Sequence, residues 1–95
     1  MTDNEYMMYE FKGRIMKELS RRLTKKVSIN IFYKAETDFI GVILSTPENS
    51  DDCSRLYRIE DPWGKIQKNM SITADCAYIV DQYKGFICDK YFKRV

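Results

Sequence analysis

The sequence predicts a small α+β domain of order α-β-β-β-α, a compact antiparallel sheet packed by an N-terminal and a C-terminal helix. Three observations carry that expectation. Residues 27–34 alternate apolar and polar side chains with period two, and after a four-residue turn the apolar-rich residues 39–46 run back. An apolar stripe at helical spacing precedes them, and a second one follows. Ninety-five residues suffice for one domain over 1–95 with one modest core.

The first helix is expected over Asp3 to Lys26. Thr2 with Glu5 three places on is a capping-box pattern, and acids open the segment where basic residues close it. Met8, Phe11, Ile15, Met16, Leu19 and Leu23 recur on one stripe and form the candidate core face. Gly13 lies off this stripe and weakens a helix by about 1 kcal/mol relative to alanine.

In the hairpin, closing the chain through Ala35-Glu36-Thr37-Asp38 sets Lys34 opposite Phe39. The pairs Tyr33 with Ile40, Ile31 with Val42 and Ile29 with Leu44 then share one face, so a single register accounts for both strands. The other face, with Ser28, Asn30, Phe32, Lys34, Gly41, Ile43 and Ser45, is mixed. The last helix or the segment around Trp63 is expected to cover it, because isolated apolar patches are rare on monomers.

An acidic loop follows, and residues 55–60 read as a third strand, with Tyr57 and Ile59 on one face and Leu56 and Arg58 on the other. A short helix capped by Ser50 competes for residues 50–60. Asp61-Pro62-Trp63-Gly64 has the chemistry of a type I turn or of the start of a short helix through Lys68. Thr73 is the candidate cap of a final helix whose core stripe is Cys76, Ile79, Val80, Tyr83, Ile87 and Tyr91. Gly85 either ends that helix after Lys84 or lies inside one continuous helix.

Composition points away from catalysis. The chain has no histidine, so it lacks the commonest general base and metal ligand. It carries no glycine-rich phosphate loop, and none of its three cysteines sits in an activating motif. Glu48, Asp51 and Asp52, and separately Glu60 with Asp61, read as solvated turn acids. No cofactor or metal is expected, and the protein reads as a non-enzyme. Cys53, Cys76 and Cys88 form no CxxC pair, and with neither a secretory signal nor a long apolar run the expectation is reduced thiols in the cytoplasm, away from membranes.

Binding is therefore the expected activity, with another protein as the first partner. Tyr78, Gly85 and Phe92 repeat every seven residues, so a continuous helix would present two aromatics flanking a glycine groove. A break at Gly85 would instead turn Phe92 inward and abolish that seam. Trp63 beside Pro62 is either a plug over the sheet edge or a contact anchor. A homodimer is a further arrangement open to such surfaces. The alternative partner is nucleic acid, met by Arg14, Lys17, Arg21 and Lys25 on the first helix. Glu10 and Glu18 interrupt that ridge, spaced to pair with Arg14 and Arg22.

The α-β-β-β-α order resembles that of double-stranded RNA-binding domains, whose last helix opens with basic residues. Here that position reads Ser71-Ile72-Thr73-Ala74-Asp75, without a lysine cluster. The same order, with a hairpin between helices, is similar to small phage and mobile-element proteins, including some anti-CRISPR inhibitors. That resemblance implies stoichiometric binding as an inhibitor or adaptor, without catalytic residues. Leu56-Tyr57-Arg58-Ile59 followed by Tyr83-Lys84-Gly85 is similar to the "IYL…YxxG" cadence of some uncharacterised bacterial domains.

Overall fold

The computed structural model describes residues 2–47, 54–87 and 92. Its elements are α1 (Asp3–Arg22), β1 (Ser28–Lys34), β2 (Phe39–Ser45), β3 (Arg55–Glu60), α2 (Pro62–Gln67) and α3 (Thr73–Lys84). The strands form one antiparallel sheet in the order β1-β2-β3. The expected architecture is therefore present, with α2 as the short helical segment after the sheet.

Thr2 caps α1, its hydroxyl accepting the Glu5 N–H at 3.1 Å. Met8, Phe11, Ile15 and Leu19 are buried, as their spacing demands. Met16 departs from expectation: it lies beside the stripe and stays exposed. The helix also ends at Arg22 rather than Lys26. Leu23 turns extended, at φ −116° and ψ 148°, which lets both Leu23 and Val27 enter the core before β1 begins.

The hairpin register is the one the alternation predicts, from Ser28 opposite Ser45 to Lys34 opposite Phe39. β3 continues it, setting Ile59 opposite Ile40 and Tyr57 opposite Val42. On this inner face Ile40, Val42, Leu44 and Ile59 are buried against α1 and α3, whose Cys76, Ile79, Val80 and Tyr83 close the core. Ile87 is half-buried beside it, and Tyr91 lies outside the described residues, as do Ser50 and the acids 48, 51 and 52.

Among the described residues the outer face of the sheet is not covered as expected, because the helices pack on the inner face and α2 reaches the hairpin at Tyr33. The face shields itself. The Phe32 ring folds over Gly41, where a Cβ would collide with it, and the Arg58 guanidinium stacks 3.8 Å above the Phe39 ring. Arg58 also pairs with Glu60 at 2.9 Å, while Leu56 remains exposed.

Asp61 begins α2 in the left-handed region at φ 51°, its carboxylate accepting the Gly64 N–H at 3.2 Å. Of the two readings of this stretch, the short helix is the one adopted. Thr73 is the first residue of α3 rather than its cap. Ile72 holds the cap position with a side chain that is buried in the core and has no group to accept a hydrogen bond, and Ser71 accepts the Thr73 N–H instead. The helix ends at Lys84 with Gly85 as its C-cap. No helix among the described residues is long and apolar enough to cross a membrane.

Candidate functional site: a groove along an open strand edge

Both β1 and β3 end the sheet, but their edges differ. Half of an edge strand's backbone donors and acceptors point away from the sheet, and proteins guard them with charges, prolines or bulges. β3 is guarded by Arg55, Arg58 and Glu60. β1 reads Ser-Ile-Asn-Ile-Phe-Tyr-Lys, with one charge at its end, no proline and seven unbroken pairs to β2. Among the described residues, nothing pairs with or guards its outer edge.

That edge forms the floor of a groove whose wall is α1. The groove has two adjoining depressions that share Tyr9, Lys12 and Ile31. The first, of about 580 Å³, lies among Tyr9, Gly13, Met16, Ile29 and Ile31. The second, of about 540 Å³, lies among Glu5, Tyr9, Tyr33 and Trp63. Ile29 and Ile31 are half-buried because the core packs one side of them and the groove opens on the other. Tyr9, 65% exposed, stands over the groove from the helix.

Among the described residues Gly13 packs against nothing, since a Cβ placed there meets nothing within 4 Å. A mid-helix glycine on an open wall makes room for close approach by something else. Replacing Gly13 with alanine is expected to stabilise the fold by about 1 kcal/mol. A thermal melt should show a Tm higher by roughly 4–8 °C.

The second depression has a rigid corner. The Trp63 indole N–H donates to the Tyr33 hydroxyl at 2.9 Å, and that hydroxyl donates to Asp38 at 2.9 Å. The two rings stand perpendicular, centroids 6.5 Å apart. Desolvation, and then the bond to the Asp38 carboxylate, push the Tyr33 phenol above its ordinary value. Trp63 is thus the half-buried plug at the sheet edge that the sequence suggests, and it also lines the groove.

The other sequence-predicted residues lie elsewhere. Because α3 ends at Lys84, Tyr78, Gly85 and Phe92 do not share a helical seam. Tyr78 is exposed, whereas Phe92 turns inward, 6.3 Å from the Tyr83 ring and bridged to Leu23. Tyr78 and Phe92 still border a separate depression of about 300 Å³ beside Arg22, Asp81 and Lys84. Of the basic ridge, Arg14, Lys17, Arg21 and Lys25 are all exposed. Glu18 breaks the ridge by holding Arg21 at 2.9 Å and Arg22 at 3.2 Å. Arg14 sits 5.7 Å from the Phe11 ring, and no ion pair joins it to Glu10 among the described residues.

Of the acids considered for chemistry, Glu60 is engaged by Arg58 and Asp61 by the start of α2. The Cys76 thiol is buried in the core and pushed up to about 12, first by desolvation and then by the charges of Glu18 and Asp75. A thiol so protonated is a poor nucleophile. No family model, curated protein or solved structure matches the chain.

Proposed function

We propose that this chain is a non-catalytic, cytoplasmic protein-binding module that takes up an extended segment of a partner protein along β1. The observation that carries the reading is the unguarded edge of β1 at the floor of an apolar groove. An added strand would satisfy the outward backbone groups of β1, and its alternate side chains would enter the two depressions. Main-chain bonds then supply affinity, and the depressions supply selectivity. Gly13 leaves the space such a strand needs between helix and edge. Stoichiometric capture of this kind matches the mode of action that the resemblance to small phage and mobile-element inhibitors implies. Nucleic acid is the weaker partner, because Glu18 draws two arginines of the basic flank into ion pairs.

The test is a random heptapeptide library displayed and panned against the purified chain. Selected peptides should carry apolar residues at every second position, and their binding should slow hydrogen exchange at alternate β1 amides. Gly13→Gln, which fills the groove from an open helical position, should weaken capture at least tenfold without lowering Tm. A library that yields no binders, binders that leave β1 exchange unchanged, or a Gly13→Gln variant that binds normally would each sink the reading.

A further inference from the structure

We infer that the depression among Glu5, Tyr9, Tyr33 and Trp63 is a pocket for a cationic side chain, lysine or arginine, carried by the strand docked on β1. This rests on the strand-capture reading above and names the residue class that one of its two depressions selects. The two depressions have different chemistry. The one beside Gly13 and Met16 has Tyr9 as its one aromatic lining residue, with Ile29 and Ile31 beside Glu10, Lys12 and Asn30, and suits an apolar side chain. The one beside Trp63 is lined by the aromatic residues Tyr9, Phe32, Tyr33 and Trp63, with Asn4, Glu5 and Lys12 also among its lining residues.

Aromatic rings carry negative charge on their faces, and cations settle against them most favourably where several rings converge. Here two of the walls are fixed in advance. The bond from the Trp63 indole to the Tyr33 hydroxyl and the perpendicular ring packing hold that corner without a ligand, so little ordering is required on binding. Tyr9 supplies a further wall from α1.

The surrounding charges favour a cation on balance. Glu5 lines the pocket, and no ion pair joins it to Lys12 among the described residues. Asp38 adds a second carboxylate behind Tyr33, to which it is hydrogen-bonded. Lys12 opposes them and, like Tyr9, lines both depressions. Glu5 and Lys12 balance among the lining residues, and the Asp38 carboxylate behind Tyr33 tips the surroundings towards a cation. A guest with an aliphatic stem and a charged tip matches this arrangement, the stem lying along the Tyr9 and Tyr33 rings and the tip reaching Glu5.

Trp63 is the only tryptophan in the chain, so its fluorescence reports on this corner directly. The probes are two synthetic peptides, acetyl-Thr-Ile-Thr-Lys-Thr-Ile-Thr-amide and the same peptide with norleucine in place of lysine. They share a main chain and differ only in the charged tip. The lysine peptide is expected to shift Trp63 emission and to bind roughly two- to thirtyfold more tightly, the range for a cation held against aromatic faces. Tyr9→Ala and Glu5→Gln should each erase most of that preference. Both are exposed positions, and the N-cap bond uses the Glu5 backbone N–H, so both variants keep the fold. Equal affinity for the two peptides would overturn the cation pocket and leave strand capture standing. Absence of binding by either, with β1 exchange unchanged, would overturn both.

Discussion

Tyr83→Ala is expected to remove about 3–5 kcal/mol of stability, the usual loss when a buried aromatic is cut back to a methyl group. For a domain of this size that is a fall in Tm of roughly 12–40 °C, read from a circular-dichroism melt. The reason is where Tyr83 sits. It is fully buried, and the rings of Tyr57, Phe86 and Phe92 stand 6.2, 6.2 and 6.3 Å from its own. Those neighbours come from β3 and from the chain beyond α3, so one side chain ties the last helix to the sheet and to the returning tail. No smaller residue fills that junction. Tyr78→Ala, five residues earlier on the exposed side of the same helix, should change stability by no more than about 0.5 kcal/mol. A loss at Tyr83 below about 1 kcal/mol would show that α3 does not pack on the sheet as described.

Alkaline pH should unfold the protein through Cys76. Burial raises this thiol from 9.0 to about 12, so the folded state holds a proton that the unfolded chain releases earlier. The stabilisation is complete below pH 9.0 and is lost as pH rises through the interval up to about 12. Each pH step of one across that interval removes about 1.4 kcal/mol, so the full loss reaches at most about 4 kcal/mol. Tyr33 and Tyr57 are both raised as well, chiefly by desolvation, and act in the same direction. Urea titrations at pH 8, 9.5 and 11 should show stability falling steadily, and Cys76→Ala should flatten the slope after a constant penalty for its cavity. An unchanged slope in that variant would mean that Cys76 is not the group responsible. With Cys53 and Cys88 replaced by serine, the remaining thiol should resist alkylation until urea exposes it.

The hairpin was legible because its information is local. Ile29, Ile31 and Tyr33 alternate on one strand and Ile40, Val42 and Leu44 on the other, and a slip of one residue would turn all six outward. The element boundaries were harder because tertiary burial decides them. Leu23 leaves the helical conformation to enter the core, and Ile72 takes a cap position where a threonine two residues from Ser71 has better local chemistry. Gly85 gave no clear signal since it adopts φ −69°, a conformation open to any residue.

The groove was the least visible feature in the sequence. It is a gap between α1 and β1, and no stripe or spacing marks a gap. One of its residues, Gly13, nevertheless broke the pattern as an unfavourable choice on an exposed helix, whereas Met16 read as part of the apolar stripe. Their common address on one flank of α1, facing the strand edge, appears only once the helix is seated. The seam of Tyr78, Gly85 and Phe92 failed for the opposite reason, because a heptad spacing has meaning only while the helix continues.

The order β1-β2-β3 also shapes how the chain acquires its structure. Every strand pairs with its immediate neighbour in sequence, so the meander can zip up from the Ala35–Asp38 turn without first closing a long loop. Docking α3 against α1 joins segments more than fifty residues apart and comes at greater entropic cost. Refolding should therefore begin in the ribbon and finish with the helices. The open edge of β1 would then be exposed to neighbouring chains from the earliest moments, before α1 settles beside it.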